Sequence, residues 1–226
     1  MSKIVLFEGL DNCFKTTNVK ALFNFWSKQN QTAHVLHYSG VKSLDKNEAQ
    51  KLSQKLYTEM FETFEYFYDK NINVICDRSH LGENVYSRYR GYDPSYIWKL
   101  EEKFRIHEFW NNVYVIFLKD SNIDNVLSRD DGLSLSTKKE DKIFERSKFE
   151  EAMFMTSIKN KLTIDVNSKA PEKILDEILC FLKEDDIEEK AKKILNDIEE
   201  KLDCYNDVLS TTYIEALNII IKGLRG

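Results

Sequence analysis

Residues 6–18 read LFEGLDNCFKTTN, and the spacing inside that stretch decides the fold. From Gly9, four residues lead to Phe14, followed by Lys15 and Thr16. This is the spacing GxxxxGK[ST]. In it, successive backbone N–H groups wrap a phosphate at a helix N-terminus, a lysine bridges the outer phosphates, and a hydroxyl holds magnesium. Phenylalanine stands where the second glycine belongs. The groups with direct chemistry are kept, so the substitution bears on the backbone. Phe14 must accept the loop's φ/ψ, with strain if φ is positive, and must send its ring away from the phosphate. Lys15 and Thr16 would also be unremarkable as the start of a helix after a turn, but the context favours the phosphate loop. KIVLF (3–7) is an unbroken apolar run suited to a central strand of a parallel sheet, and residues 16–29 carry Val19, Leu22, Phe23 and Trp26 at helical spacing.

The alternation continues outward. AHVLHY (33–38), INVICDR (72–78), NVYVIFLK (112–119) and LTIDV (162–166) read as four further strands. Helices are predicted over 47–70, 93–110, 141–160 and 171–184. Five strands alternating with helices imply an α/β three-layer sandwich of the P-loop NTPase type, with a five-stranded parallel sheet and right-handed crossovers. Residues 185–226 differ: charge-rich and striped with apolar positions, they read as a C-terminal helical hairpin appended to a domain of residues 1–184. A net charge of −5 offers no global attraction to nucleic acid or an anionic membrane, so any anion must be held by local groups. Four scattered cysteines without a CxxC pair argue against a zinc site or a disulfide framework. The N-terminus enters a strand at once, without signal-peptide anatomy, and no apolar run is long enough to span a bilayer. The expectation is a soluble cytoplasmic protein.

The quoted loop, FEGLDNCFKTT, resembles the FEGxDGxGKTT opening of thymidylate kinases, with Asn12 and Phe14 as the two departures from glycine. Asp11 is absent from most phosphate loops, and the resemblance implies that it lies near the acceptor sugar and the metal. VICDRSHLGENVYSRYRGY resembles the family's Asp-Arg strand end, and also the ERS motif of deoxynucleoside kinases. An acid and an arginine at the C-terminal end of a strand face the ligand crevice of an open α/β sheet. Arg78 there would clamp a phosphoryl group in bidentate fashion. Asp77 would orient the acceptor, bind metal through water, or act as base for a bare 5′-hydroxyl. By the resemblance, Tyr86 is a gate against ribose. Arg88 and Arg90 either hold an acceptor phosphate or decorate a solvated helix. Residues 118–153 resemble the family's lid region: Arg129 and Arg146 match its arginines, and residues 129–146 suit a mobile lid carrying Lys138 and Lys139.

The resemblance implies a kinase that moves the γ-phosphate of ATP, with Mg²⁺, to a deoxynucleoside monophosphate of the dTMP or dUMP kind. A deoxynucleoside kinase and a non-catalytic nucleotide-binding protein are the alternatives. Lys15, Asp77, Arg78 and Arg146 carry the catalytic expectation. Gly9, Asn12, Cys13, Phe14, Lys15, Thr16, Thr17 and Arg129 are the expected ATP-binding residues. Asp11, Arg78, Tyr86 and Arg88 would hold the acceptor, and Thr16 and Asp11 the metal. The partners implied are small nucleotides and, as a homodimer, a second copy of the chain.

Overall fold

A computed structural model describes residues 2–41, 45–130, 132 and 134–183. Its strands are β1 (Ile4–Gly9), β2 (Ala33–His37), β3 (Asn73–Asp77), β4 (Val113–Lys119) and β5 (Asn160–Asp165). The helices are α1 (Lys15–Lys28), α2 (Lys46–Asp69), α3 (Leu81–Arg90), α4 (Tyr96–Phe104), α5 (Ile123–Ser128), α6 (Lys139–Met155) and α7 (Pro171–Leu182). The strands form one sheet in the order β2-β3-β1-β4-β5, with every neighbouring pair parallel. From β1 the chain passes first to the edge strand β2, returns to β3 beside β1, and then crosses to β4 and β5 on the other side. The C-terminal ends of β1 and β3 therefore sit where the strand order reverses, the place where open α/β sheets bind ligands.

The central strand shows why the sheet is covered on both faces. Val5 and Phe7 join a core with Leu22, Trp26, Phe149 and Ile178. Ile4 and Leu6, one residue out of phase, join a second core with Tyr57, Phe61, Phe64 and Trp110. A strand alternates its side chains, so only an apolar run such as IVLF can serve two cores at once.

The helix expected over 93–110 divides instead into α4 and a short 3₁₀ helix, Glu108–Asn112. Phe61 packs against Phe104 at 5.1 Å and Trp110 at 5.6 Å, and Phe109 lies 6.1 Å from Trp110. In an unbroken α-helix Phe109 and Trp110 would point roughly 140° and 120° away from Phe104 on opposite sides. The break brings all three rings to one side. α6 likewise stops at Met155, short of the expected residue 160, because Thr156 and Ser157 turn to Glu101. Helix α5 was not foreseen, and α3 only as the solvated helix that Arg88 and Arg90 were offered as decorating. Of the expected lid, residues 139–146 are the first two turns of α6. The chain divides after Leu182, and the hairpin expected over 185–226 lies outside the described residues. No helix among the described residues is long and apolar enough to cross a membrane.

Glu101 ties α4 to the segment that follows α6. Its buried carboxylate meets His80 Nε2 at 2.8 Å and accepts from Thr156 Oγ1 at 2.6 Å, Ser157 N at 2.7 Å and Ser157 Oγ at 2.8 Å. Burial works against its charge, but these partners, led by His80, hold its pKa below the ordinary 4.5. A folded-state pKa below the unfolded one stabilises the fold at pH values above the unfolded pKa. That contribution is lost as pH falls through 4.5 toward the depressed folded value. We expect Glu101→Gln to cost about 3 kcal/mol at neutral pH. The gap to wild type should narrow at about pH 3.5. Urea unfolding at the two pH values checks this.

Candidate active site

β1 delivers the chain into the loop at Gly9, whose φ is +145° and where a Cβ would run into the carbonyl oxygen of Leu118 on β4. The loop then needs left-handed backbone at both positions where the motif has glycine: Asn12 has φ 63° and Phe14 has φ 60°. Asparagine tolerates this region, whereas a bulky aromatic is strained there. Two contacts offset the strain at Phe14. Its ring packs against the core around Val5 and Trp26, and the Arg129 guanidinium carbon sits 4.6 Å from the ring centroid. Both the backbone N–H and the side-chain amide of Asn18 donate to the Phe14 carbonyl, at 3.1 and 2.9 Å, which fixes the entry to α1.

Lys15 is buried, and its ammonium donates to the carbonyls of Gly9 at 2.9 Å and Leu10 at 2.6 Å. Burial, and then the nearby Arg78, lower its pKa from the ordinary lysine value. Asn12 Nδ2 and Arg129 Nε are buried donors without a hydrogen-bond partner among the described residues, and both side chains line the cavity that the loop encloses. That cavity has a volume of about 600 Å³. Unspent donors around a basic loop suit an anionic ligand.

Thr16 Oγ1 donates to Asp77 Oδ2 at 2.8 Å, joining the start of α1 to the end of β3. Asp77 Oδ1 is buried and has no partner among the described residues. There is also no group of three His, Cys, Asp or Glu side chains among them that could hold a metal. This donor set fits Mg²⁺, which keeps several waters and takes one or two protein ligands beside substrate phosphates. Thr16 would bind the ion directly, and Asp77 would accept from water on it.

Arg78 follows β3 with φ 74°, and its N–H donates to the Phe7 carbonyl at 3.0 Å. That left-handed step turns its side chain to Asp11, with which it forms an ion pair and hydrogen bond. Lys15 and Lys142 each stand 4.0 Å from the same carboxylate. Burial opposes charge on Asp11, but Arg78 first and then Lys15 hold its pKa below the usual aspartate value. A second cavity, of about 300 Å³, opens on the other side. Asp11, His37 and Arg78 line both cavities.

Other expected site residues divide. Thr17 lines the loop cavity and Tyr86 the second one, where its ring centroid lies 5.9 Å from the Arg78 guanidinium. Cys13 is fully buried in the core, so only its backbone is available to the loop. Arg129 lines the loop cavity while paired to buried Asp120 at 2.7 Å. Arg88 points elsewhere, to Asp141 at 2.7 Å and over the Phe144 ring at 3.9 Å, and lines neither cavity. Arg146 donates to the carbonyls of Asp120 and Ser121, at 3.4 and 3.1 Å, and also lines neither. Several residues in the site were not singled out from sequence. Glu8, with Oε1 accepting from Ser79 N at 2.7 Å and Ser79 Oγ at 2.6 Å, lines the second cavity, as does Tyr57, beside Arg90, which the sequence had offered as an acceptor ligand. Burial, opposed by those bonds, raises the Glu8 pKa. A carboxylate inside the apolar run of β1 was the one available signal, since an unneeded charge is seldom buried.

No protein-family model matches the chain, and a comparison with curated proteins finds no sequence match. Solved structures do match. The thymidylate kinase from Ehrlichia chaffeensis is 18% identical, with a TM-score of 0.59, covering 80% of this chain and 98% of that one. The thymidylate kinase from Candida albicans is 13% identical, with a TM-score of 0.58, covering 80% and 91%. The YorR protein from Bacillus subtilis, solved with phosphorylated GDP, is 16% identical, with a TM-score of 0.54, covering 80% and 96%. These likenesses establish the fold, an α/β P-loop fold shared with nucleotide kinases.

The strain at Phe14 makes an unusual stability order testable. Glycine relieves the left-handed backbone while alanine retains it, and both lose the ring. We therefore expect Phe14→Gly to be more stable than Phe14→Ala by about 1 kcal/mol. Denaturant midpoints of the two variants check the order.

Proposed function

We propose that the chain is a nucleotide kinase that transfers the γ-phosphate of ATP to a deoxynucleoside monophosphate, with Mg²⁺. The observation that carries this reading is the Asp11–Arg78 pair standing where the two cavities meet. The loop cavity would take the triphosphate, cradled by the amides before Lys15, with the Lys15 ammonium on the outer phosphates. The second cavity would take the acceptor. An ionised oxygen of the acceptor phosphate attacks the γ-phosphorus, and the bond from that phosphorus to the bridging oxygen breaks, leaving ADP. Arg78 neutralises the charge that gathers on the transferred group, because phosphoryl transfer depends chiefly on positioning and charge compensation. Thr16 and, through water, Asp77 would hold magnesium, which would supply further charge neutralisation on the phosphates. Tyr86, on the acceptor wall, would serve as a gate against ribose.

The placement of Asp77 supports a monophosphate acceptor over a nucleoside. A bare 5′-hydroxyl needs a base, whereas a phosphate oxygen is already ionised at neutral pH. Asp77 accepts from the Thr16 hydroxyl and lines the loop cavity, not the acceptor cavity. One observation favours the rival reading: Glu8, its pKa raised by burial, lines the acceptor cavity and has the character of a base. A product-mass assay with ATP and magnesium, offering deoxynucleosides and their monophosphates separately, decides between them. We expect diphosphates from the monophosphates and no phosphorylation of the nucleosides. Arg78→Ala should lower kcat by roughly 10²- to 10³-fold, the effect of removing one strong electrostatic donor. An Arg78→Ala enzyme as fast as wild type would remove the central claim.

A further inference from the structure

Glu8 is a carboxyl in the acceptor cavity that transfer to a monophosphate leaves unused. It is the next-to-last residue of β1 and is 1% exposed. Its two oxygens differ. Oε1 accepts from Ser79 N at 2.7 Å and from Ser79 Oγ at 2.6 Å, whereas Oε2 has no hydrogen-bond partner among the described residues. Gly82 locates that second oxygen. A Cβ there would lie 3.7 Å from Oε2, and Gly82 lines the acceptor cavity together with Glu8 and Arg78. Oε2 is unpartnered without being sealed in, unlike Asp77 Oδ1 and the Tyr86 hydroxyl, so it is open to that cavity.

The surroundings of Glu8 decide its charge. Burial raises its pKa, and the bonds from Ser79, then the charges of Arg78 and His80, oppose that rise. Tyr57 from α2 and Cys76 from β3 also stand within reach of its charge, and burial holds both protonated. Three more groups line the same cavity: Asp11 kept ionised by Arg78, Tyr86 kept protonated by burial, and Arg90 paired to Glu83. A phosphate seated on Arg78 shifts this balance. It takes up the guanidinium charge and brings negative charge of its own. Two anionic groups in one desolvated site cannot both stay charged, so one of them keeps a proton. The second pKa of a phosphate ester is about 6, and Arg78 lowers it, so the proton settles on the buried carboxyl. Oε1 is occupied by two donors, which leaves Oε2 to carry it.

We propose that Glu8 binds the acceptor phosphate as a neutral carboxylic acid, with Oε2 donating its proton in a hydrogen bond to a phosphate oxygen. The inference rests on reading this cavity as the site of a monophosphate acceptor. A carboxylate only accepts hydrogen bonds, whereas the protonated group donates one, so a charge that would repel the substrate becomes a ligand for it. No bond to phosphorus forms or breaks in this step. The proton comes from solvent as the nucleotide enters and returns to solvent when the site empties. The coupling to pH has a fixed sign. The complex holds the proton more tightly than the free protein, so affinity is full below the free-protein value, which itself lies above 4.5. Affinity is then lost as pH rises through the higher value of the complex. A Glu8 that served as base toward a nucleoside hydroxyl would work in its charged form and gain with rising pH.

The test is calorimetry of the full chain without ATP at about pH 6 and about pH 8, where a carboxyl of raised pKa changes charge and an amide does not. The probes are dTMP, dUMP, dGMP, dAMP, dCMP and the corresponding deoxynucleosides. For each monophosphate that binds, wild-type affinity should fall between the two pH values by roughly 10-fold more than the affinity of Glu8→Gln. The amide keeps the shape of the acid and donates at any pH, so the variant should bind at least as tightly as wild type at the higher pH. Comparing the two proteins cancels the ionisation of the phosphate itself. The nucleosides should show no slope that depends on Glu8. Equal slopes in wild type and Glu8→Gln overturn the proposal, as does a Glu8-dependent slope for nucleosides. Should Glu8→Gln not fold, wild-type calorimetry in buffers of differing ionisation enthalpy decides: protons must be taken up as a monophosphate binds, and none taken up overturns it. Failure to bind any monophosphate removes both this inference and the kinase reading. Glu8-linked binding without phosphoryl transfer would sink the kinase and keep Glu8, and diphosphate formation with equal slopes would do the reverse.

Discussion

The ion pair between Asp11 and Arg78 joins the phosphate loop to the end of β3, across 67 residues of sequence. Both side chains are largely withdrawn from solvent, at 16% and 27% exposure, where an unpaired charge would be costly. Lys15 approaches the same carboxylate but only to 4.0 Å, and its protons go to loop carbonyls. It is a buried cation without a close anion of its own among the described residues. Such an arrangement suits an anionic ligand, because a phosphate supplies the charge that the protein lacks there.

The backbone around this pair is strained. Away from the site, left-handed conformations fall on Asn30 and Asn71, which tolerate them, and on Ser168 and Lys183. At the site they fall on Phe14 and Arg78, which, unlike asparagine, do not tolerate them. The parallel pairing of β1 with both β3 and β4 holds the strand ends that carry these steps, so the sheet sustains the distortion. At Phe14 the ring also occupies one side of Arg129, whose other anchor is Asp120. The substitution of phenylalanine for glycine thus links the phosphate loop to the residue that follows α5.

Three fully or nearly buried glutamates show how the balance between burial and partners sets a carboxylate's behaviour. Glu101 is surrounded by His80, Thr156 and Ser157, and its pKa falls. At Glu8 burial outweighs the hydrogen bonds from Ser79, and the pKa rises. Glu83 receives three phenols and a guanidinium, which exhausts its acceptor capacity and turns it into a mount for Arg90. One carboxylate ties helices together, one faces the cavity with a proton held more tightly, and one aims a cation.

Local sequence was sufficient for the strands, for the strand–loop–helix opening and for the positions of Lys15, Thr16, Asp77 and Arg78. Apolar runs, helical spacing and a strand end are properties of a few consecutive residues. It could not choose between Arg88 and Arg90, two positions apart on α3, or foresee that Lys142 would approach Asp11 while Arg146, one turn along α6, serves backbone carbonyls. It also left the break between α4 and the 3₁₀ helix unread, since nothing local says that Phe104 and Trp110 must both reach Phe61. Where a long charged side chain ends depends on which helix packs beside it and which acids that helix presents. Those neighbours are far apart in the chain and are brought together by the packing of the whole sheet and its helices.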